Sequence, residues 1–170
     1  MSHGEPAHGE RDERDHWKLG AGGFELGTDG PAVILVGVDD TVTSLRAAAY
    51  AAGLARRQGA RLVAVYVAST SSIVGASPSG AAVMVAEEEA HDQLAKELRA
   101  RFEEGITDRG ITGTFIVAHG DPYHEINRIA GETRADAIVV GASKQAGHRF
   151  VGSLAVRLVR AGKWPVTVVP

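Results

Sequence analysis

Apolar and polar positions along this chain sort into two alternating patterns. After Pro31 the run Ala32-Val33-Ile34-Leu35-Val36-Gly37-Val38 is unbroken and rich in β-branched residues, and it stops at Asp39-Asp40-Thr41. Such a run, apolar at every position, predicts a strand buried on both faces. Apolar residues then recur at helical spacing, at Leu45, Ala48, Ala49, Ala52 and Ala55, behind candidate N-caps at Thr41, Thr43 and Ser44. Arg56, Arg57 and Gly59 supply a last turn matched to the helix dipole and a left-handed stop. Leu62 to Val67 is a second apolar strand, so the first unit reads βαβ, parallel and right-handed.

The alternation continues to the end of the chain. Residues 68 to 82 are rich in Ser, Gly and Ala and predict a loop; Glu87 to Gly105 then puts His91, Leu94, Leu98 and Phe102 on one face of an amphipathic helix. Thr112 to Ala118 predicts a third strand. Asp121-Pro122 opens a third helix with Ile126, Ile129 and Ala130 facing inward, and Ala137 to Val140 predicts a fourth strand. A loop containing Gly, Lys and His leads to a helix from Ser153 to Ala161, stopped by Gly162, and Pro165 to Val169 closes the chain as a fifth strand. Strict alternation predicts an α/β fold with a parallel sheet covered by helices on both faces.

The first thirty residues break this pattern. They hold seven of the 21 Gly, seven acids and three bases, with apolar side chains only at scattered positions such as Trp17, Leu19, Phe24 and Leu26. Residues 1–30 therefore read as a flexible polar tail whose second half lies across a domain formed by 31–170, where its apolar side chains find cover. Beyond the tail 14 acids face 15 bases, so the net charge of −3 arises in the tail and no basic excess points to nucleic acid. The chain has no Cys, which excludes disulfides, thiolate metal sites and a cysteine nucleophile. No apolar stretch is long enough for a membrane span or a secretory signal, and the expected address is the cytoplasm.

In an open parallel sheet, ligands sit beyond the C-terminal ends of the strands where strand order reverses. The residues there are Asp39-Asp40-Thr41, Val67-Ala68, His119-Gly120-Asp121 and Gly141-Ala142-Ser143-Lys144. The loop from Gly141 to Gly152 ends at Ser153, at a helix start, where exposed amides and the positive dipole end favour an anion. Gly147 and Gly152 allow close backbone approach, and Lys144 adds charge, so a phosphate suits this loop; turn glycines and a capping Ser also account for the same residues. Other readings lack support. There is no Walker lysine motif, Gly141-Ala142-Ser143 lacks the second Gly of a nucleophile elbow, and His3, His8 and His16 have no spacing that fixes a metal. Asp39-Asp40 is the acid pair that a phosphoacceptor receiver uses for Mg²⁺, but Val117-Ala118-His119 lacks the acceptor Asp.

Taken together, Val36-Gly37-Val38-Asp39-Asp40-Thr41, Ala55-Arg56-Arg57-Gln58-Gly59-Ala60, His119-Gly120-Asp121-Pro122, Ala135-Asp136-Ala137-Ile138-Val139-Val140-Gly141 and Gly152-Ser153 resemble the universal stress proteins over residues 31 to 170. The resemblance implies a single Rossmann-like, flavodoxin-like domain with a five-stranded parallel sheet of order 3-2-1-4-5. It implies a stress-linked regulatory protein that binds ATP or AMP, with Mg²⁺ accompanying ATP, between the first and fourth strands. The implied nucleotide site comprises Asp39, Asp40, Thr41, Val67, Ala68, Gly141, Ser143, Lys144, Gly147, Gly152 and Ser153. A homodimer is implied as well; in that strand order Val166, Thr167, Val168 and Val169 form an edge with no Lys or internal Pro to blunt it, so the two chains are expected to meet along them, the alternative being that the tail covers this edge. ATP-binding members carry G-x-x-G, nine residues and G-[ST]; here Lys144 stands at the second Gly, the spacer from Gln145 to Val151 has seven residues, and Asp40 stands where a Gly is usual. These departures leave open a nucleotide-free dimeric interaction module of the same fold. No catalytic residue is assigned, and at most slow ATP hydrolysis is expected.

Overall fold

The computed structural model describes residues 30–69, 78–142 and 153–170, for 78–82 the backbone alone. The strands are β1 (Val33–Val38), β2 (Arg61–Ala68), β3 (Gly113–His119), β4 (Ala137–Gly141) and β5 (Val166–Val169). The helices are α1 (Val42–Gln58), α2 (Pro78–Asp108), α3 (Pro122–Thr133) and α4 (Ser153–Ala161). All neighbouring strands pair parallel in the order β3-β2-β1-β4-β5, which is the fold class expected from the alternation of elements and from the family resemblance. The strand order reverses between β1 and β4, and beyond the C-terminal ends of strands at such a junction is where open parallel sheets commonly bind ligands.

Alternate side chains of each strand feed two cores. Ile34, Val36, Leu62, Ala64, Tyr66 and Val139 pack beneath α1 and α2, while Leu35, Val63, Val65, Ile138 and Val140 pack with Ile126 and Ile129 of α3 and Leu158 of α4. This two-sided burial explains why the strands read as continuous apolar runs. Gly59 and Gly162 adopt left-handed φ values of 65° and 61° as helix stops, as their positions predicted.

The structure corrects two expectations. The predicted loop at 68–82 is shorter, because α2 begins at Pro78 and runs for 31 residues. Pro is pre-set for a first helical turn, and the Ala81-Ala82-Val83-Met84-Val85-Ala86 stretch that follows sustains a helix despite its weak amphipathic pattern. The buried face of α1 is also rotated from the predicted one: Thr43, Ser44, Ala47, Ala51 and Ala55 are buried, while Leu45 is 38% exposed. Small residues four apart let the helix axis approach the sheet more closely than a Leu would allow.

Candidate functional site

The turn after β1 is built by hydrogen bonds within five residues. Asp39 Oδ1 accepts from the Thr41 amide at 2.9 Å and from the Thr41 hydroxyl at 2.6 Å. Thr41 is the N-cap of α1, its Oγ1 accepting from the Ser44 amide at 3.2 Å. The buried Ser44 hydroxyl in turn accepts from the Asp39 amide at 3.1 Å and lies within bonding distance of the Asp39 and Thr41 carbonyls. Of the three candidate caps, Thr41 takes the role and Ser44 braces the turn from below. The carboxylate of Asp39 is thereby fixed at the C-terminal end of β1, with the first turn of α1 beside it.

Gly141 closes the other side. A Cβ at this position would stand 2.6 Å from the Thr43 carbonyl carbon and the Ser44 amide nitrogen, so the end of β4 lies directly against the backbone of the first turn of α1. Only Gly permits that approach. Asp39 and Gly141 are thus gathered around one helix start at the strand-order reversal, which is the juxtaposition the sequence anticipated.

The remaining anticipated residues divide. Asp40 and Thr41 are exposed in the turn, and Arg101 of α2 reaches Asp40 at 3.9 Å. Val67 and Ala68 end β2 opposite Ala118 and His119, and the Gly120 amide donates to the Ala68 carbonyl at 3.0 Å. Ser153 is the exposed first residue of α4. Ser143, Lys144, Gly147 and Gly152 lie outside the described residues. Among the described residues no cluster of three or more His, Asp or Glu side chains could hold a metal ion, and no helix there is long and apolar enough to cross a membrane.

Two neighbours of this site, Tyr66 and Arg157, were not singled out in the sequence. Tyr66 of β2 is buried, its hydroxyl 2.6 Å from His91 Nδ1 of α2. Burial, and secondarily the negative charge of Asp39, push the Tyr66 phenol above its ordinary pKa, so it stays protonated beside the cleft. Arg157 of α4 donates to Asp121 Oδ2 at 3.0 Å and lies 4.2 Å over the Tyr123 ring. That bond is the main reason the Asp121 carboxyl lies below the usual range, while Asp121 Oδ1 caps α3 through the His124 amide at 3.0 Å. Arg157 follows Ser153 by one helical turn, so the contact ties the helix that starts at the cleft to the loop after β3. Its signal in the sequence was only this i, i+4 spacing; Arg101 gave none, and His91 was placed on the apolar face of its helix without a partner, because the partners of both come from distant elements.

Residues 32–170 match the model of the universal stress protein family. A universal stress protein of Methanocaldococcus jannaschii is 30% identical over 141 residues, covering 80% of this chain and 80% of that protein. Among solved structures, the universal stress protein UspA of Lactobacillus plantarum is 26% identical, with a TM-score of 0.68 over 82% of this chain and 97% of its own. The fold likeness extends to a universal stress protein in complex with cAMP, 21% identical with a TM-score of 0.63 over 84% of this chain and 99% of that one. It extends also to one from Archaeoglobus fulgidus in complex with dAMP, 24% identical with a TM-score of 0.56 over 81% and 96%. The match to the family model spans every strand and helix described above, and on it this chain belongs to the universal stress protein family.

Proposed function

We propose that the cleft over β1 and β4 binds an adenine nucleotide, ATP or AMP, and that its occupancy regulates a partner interaction in a stress response. The observation that carries this reading is the packing of Gly141 against the first turn of α1, which draws the Asp39 carboxylate and the end of β4 together at the strand-order reversal. Asp39 offers an acceptor for ribose or base donors, the ends of β2 at Val67 and Ala68 offer an apolar wall for adenine, and the start of α4 at Ser153 offers amides to phosphate. Lys144, with Ser143, Gly147 and Gly152, belongs to the phosphate side of this assignment; Mg²⁺ would accompany ATP and offset part of its charge. The cAMP and dAMP complexes of relatives of the same fold support the choice of an adenine nucleotide.

Equilibrium dialysis of the full chain with ATP and with AMP tests it. Binding below millimolar concentration is expected, and Lys144→Ala or Ser153→Ala should each weaken it about tenfold or more, the usual consequence of losing a charged hydrogen bond. Asp40→Ala should leave binding unchanged or tighten it, by removing a negative charge near the phosphates. If neither nucleotide binds at millimolar concentration, the second reading stands, a nucleotide-free dimeric interaction module. The observations favouring that second reading are Lys144 in place of a Gly and the carboxylate of Asp40 at the cleft.

A further inference from the structure

The Tyr66 ring lies in the core beneath α1 and α2 and is 3% exposed, a place whose packing a Phe ring would satisfy. Its hydroxyl therefore needs a reason. A buried O–H without an acceptor is destabilising, and this one, held protonated, donates to His91 Nδ1 at 2.6 Å. The two rings stand 6.2 Å apart and are tilted by 48°. Tyr66 pairs in register with Val38, the residue before Asp39, and directly precedes Val67 and Ala68. The negative charge of Asp39 is felt at the phenol, so the bond lies close under the site.

The helix side of the bond is as informative. Phe102 lies against Gly113 at the start of β3, and Ala95 and Leu98 are buried, so α2 descends the sheet from the C-terminal ends of the strands towards their starts. Among the described residues of α2, His91 is the first hydrogen-bonded to a strand, and Val83, Met84, Val85 and Ala86 ahead of it are exposed. From Tyr66 to the end of β2 at Ala68 is about 7 Å, while α2 rises about 20 Å from Pro78 to His91. The first turns of α2 thus stand beyond the strand ends, on the side of Asp39. We propose that Tyr66 is a positioning residue of the nucleotide site and acts through His91, their bond fixing the overhanging end of α2 as a wall on the base side. Resting on the adenine-nucleotide reading above, this adds a wall from α2 to the one at Val67 and Ala68. Without the bond the ligand itself must order the overhang, which costs affinity. Asp39, held in its own turn by Thr41, keeps its place.

Equilibrium dialysis of the full chain with AMP, joined to NMR of its histidine rings, tests this. Tyr66→Phe keeps the ring and removes the donor, and His91→Leu keeps bulk and removes the acceptor. His91→Asn restores an acceptor oxygen near the place of Nδ1. The first two should weaken AMP binding about fivefold or more, the size of one lost hydrogen bond, while His91→Asn should bind within about twofold of wild type. The imidazole signal of His91, identified by its absence from His91→Asn, should move when AMP is added to the wild-type chain. A bond that served packing alone would leave that signal and the affinities unchanged. Wild-type affinity in Tyr66→Phe, equal weakening in His91→Asn and His91→Leu, or a His91 signal indifferent to bound AMP would overturn the assignment and leave nucleotide binding standing. A wild-type chain that binds no AMP at millimolar concentration would overturn both.

Discussion

A Cβ added to Gly141 would meet backbone atoms of Thr43 and Ser44 at 2.6 Å, and backbone does not swing aside as the end of a side chain does. Gly141→Ala must therefore push α1 away from β4, with an overpacking cost of about 1 to 3 kcal/mol. The same displacement shifts Thr41 and Ser44, which hold Asp39 in its turn. The expected outcome is a lower urea midpoint together with weakened nucleotide binding. A variant that binds normally would show that the close approach serves packing alone. The sequence marked Gly141 as a turn glycine by its place after a strand, but the reason only Gly fits there is the small-residue face of α1, which lies almost a hundred residues earlier.

At the scale of elements, α3 and α4 are joined by Asp121 in two separate ways, one oxygen capping α3 and the other bound to Arg157. Asp121→Ala removes both and is expected to cost about 1 kcal/mol, chiefly through the lost cap. Asp121→Asn keeps a capping oxygen and loses the ion pair, which is partly exposed and worth at most about 1 kcal/mol. Because Arg157 lowers the carboxyl's pKa in the folded protein, this contribution is present above the unfolded value of about 3.9 and is lost as pH falls through the lower folded value. Urea unfolding of wild type and Asp121→Asn should thus separate at neutral pH and converge in acid; a constant gap would mean the ion pair contributes nothing. The cap itself was legible in Asp121-Pro122, as were β1, β4 and the full span of α4, because caps and apolar runs are local signals. The start of α2 and the inward face of α1 were not. The first was obscured by Ser and Gly ahead of a helix that Pro78 initiates, and the second is decided by how closely α1 can approach β4, which periodicity does not encode.

At the scale of the whole molecule, the edge of the sheet at β5 is the feature that bears on assembly. Among the described residues β5 pairs with β4 alone, and the Ile138 amide donates to the Pro165 carbonyl while the Ala142 amide donates to that of Val169. In a parallel ladder the amide and carbonyl of one residue point the same way, so Pro165, Thr167 and Val169 face β4, and Val166 and Val168 turn their backbone groups to the open edge. No Lys or internal Pro blunts this strand, and such an edge invites pairing. We propose that two chains meet antiparallel along it, a self-complementary contact with two-fold symmetry. Val168→Pro removes an outward amide without touching the bonds to β4, which an edge strand tolerates, whereas Thr167→Pro removes one that the ladder needs. Light scattering should find a dimer for the wild-type chain and a folded monomer for Val168→Pro, with Thr167→Pro losing stability instead. A monomeric wild type, or a dimer indifferent to Val168→Pro, would move the interface away from β5.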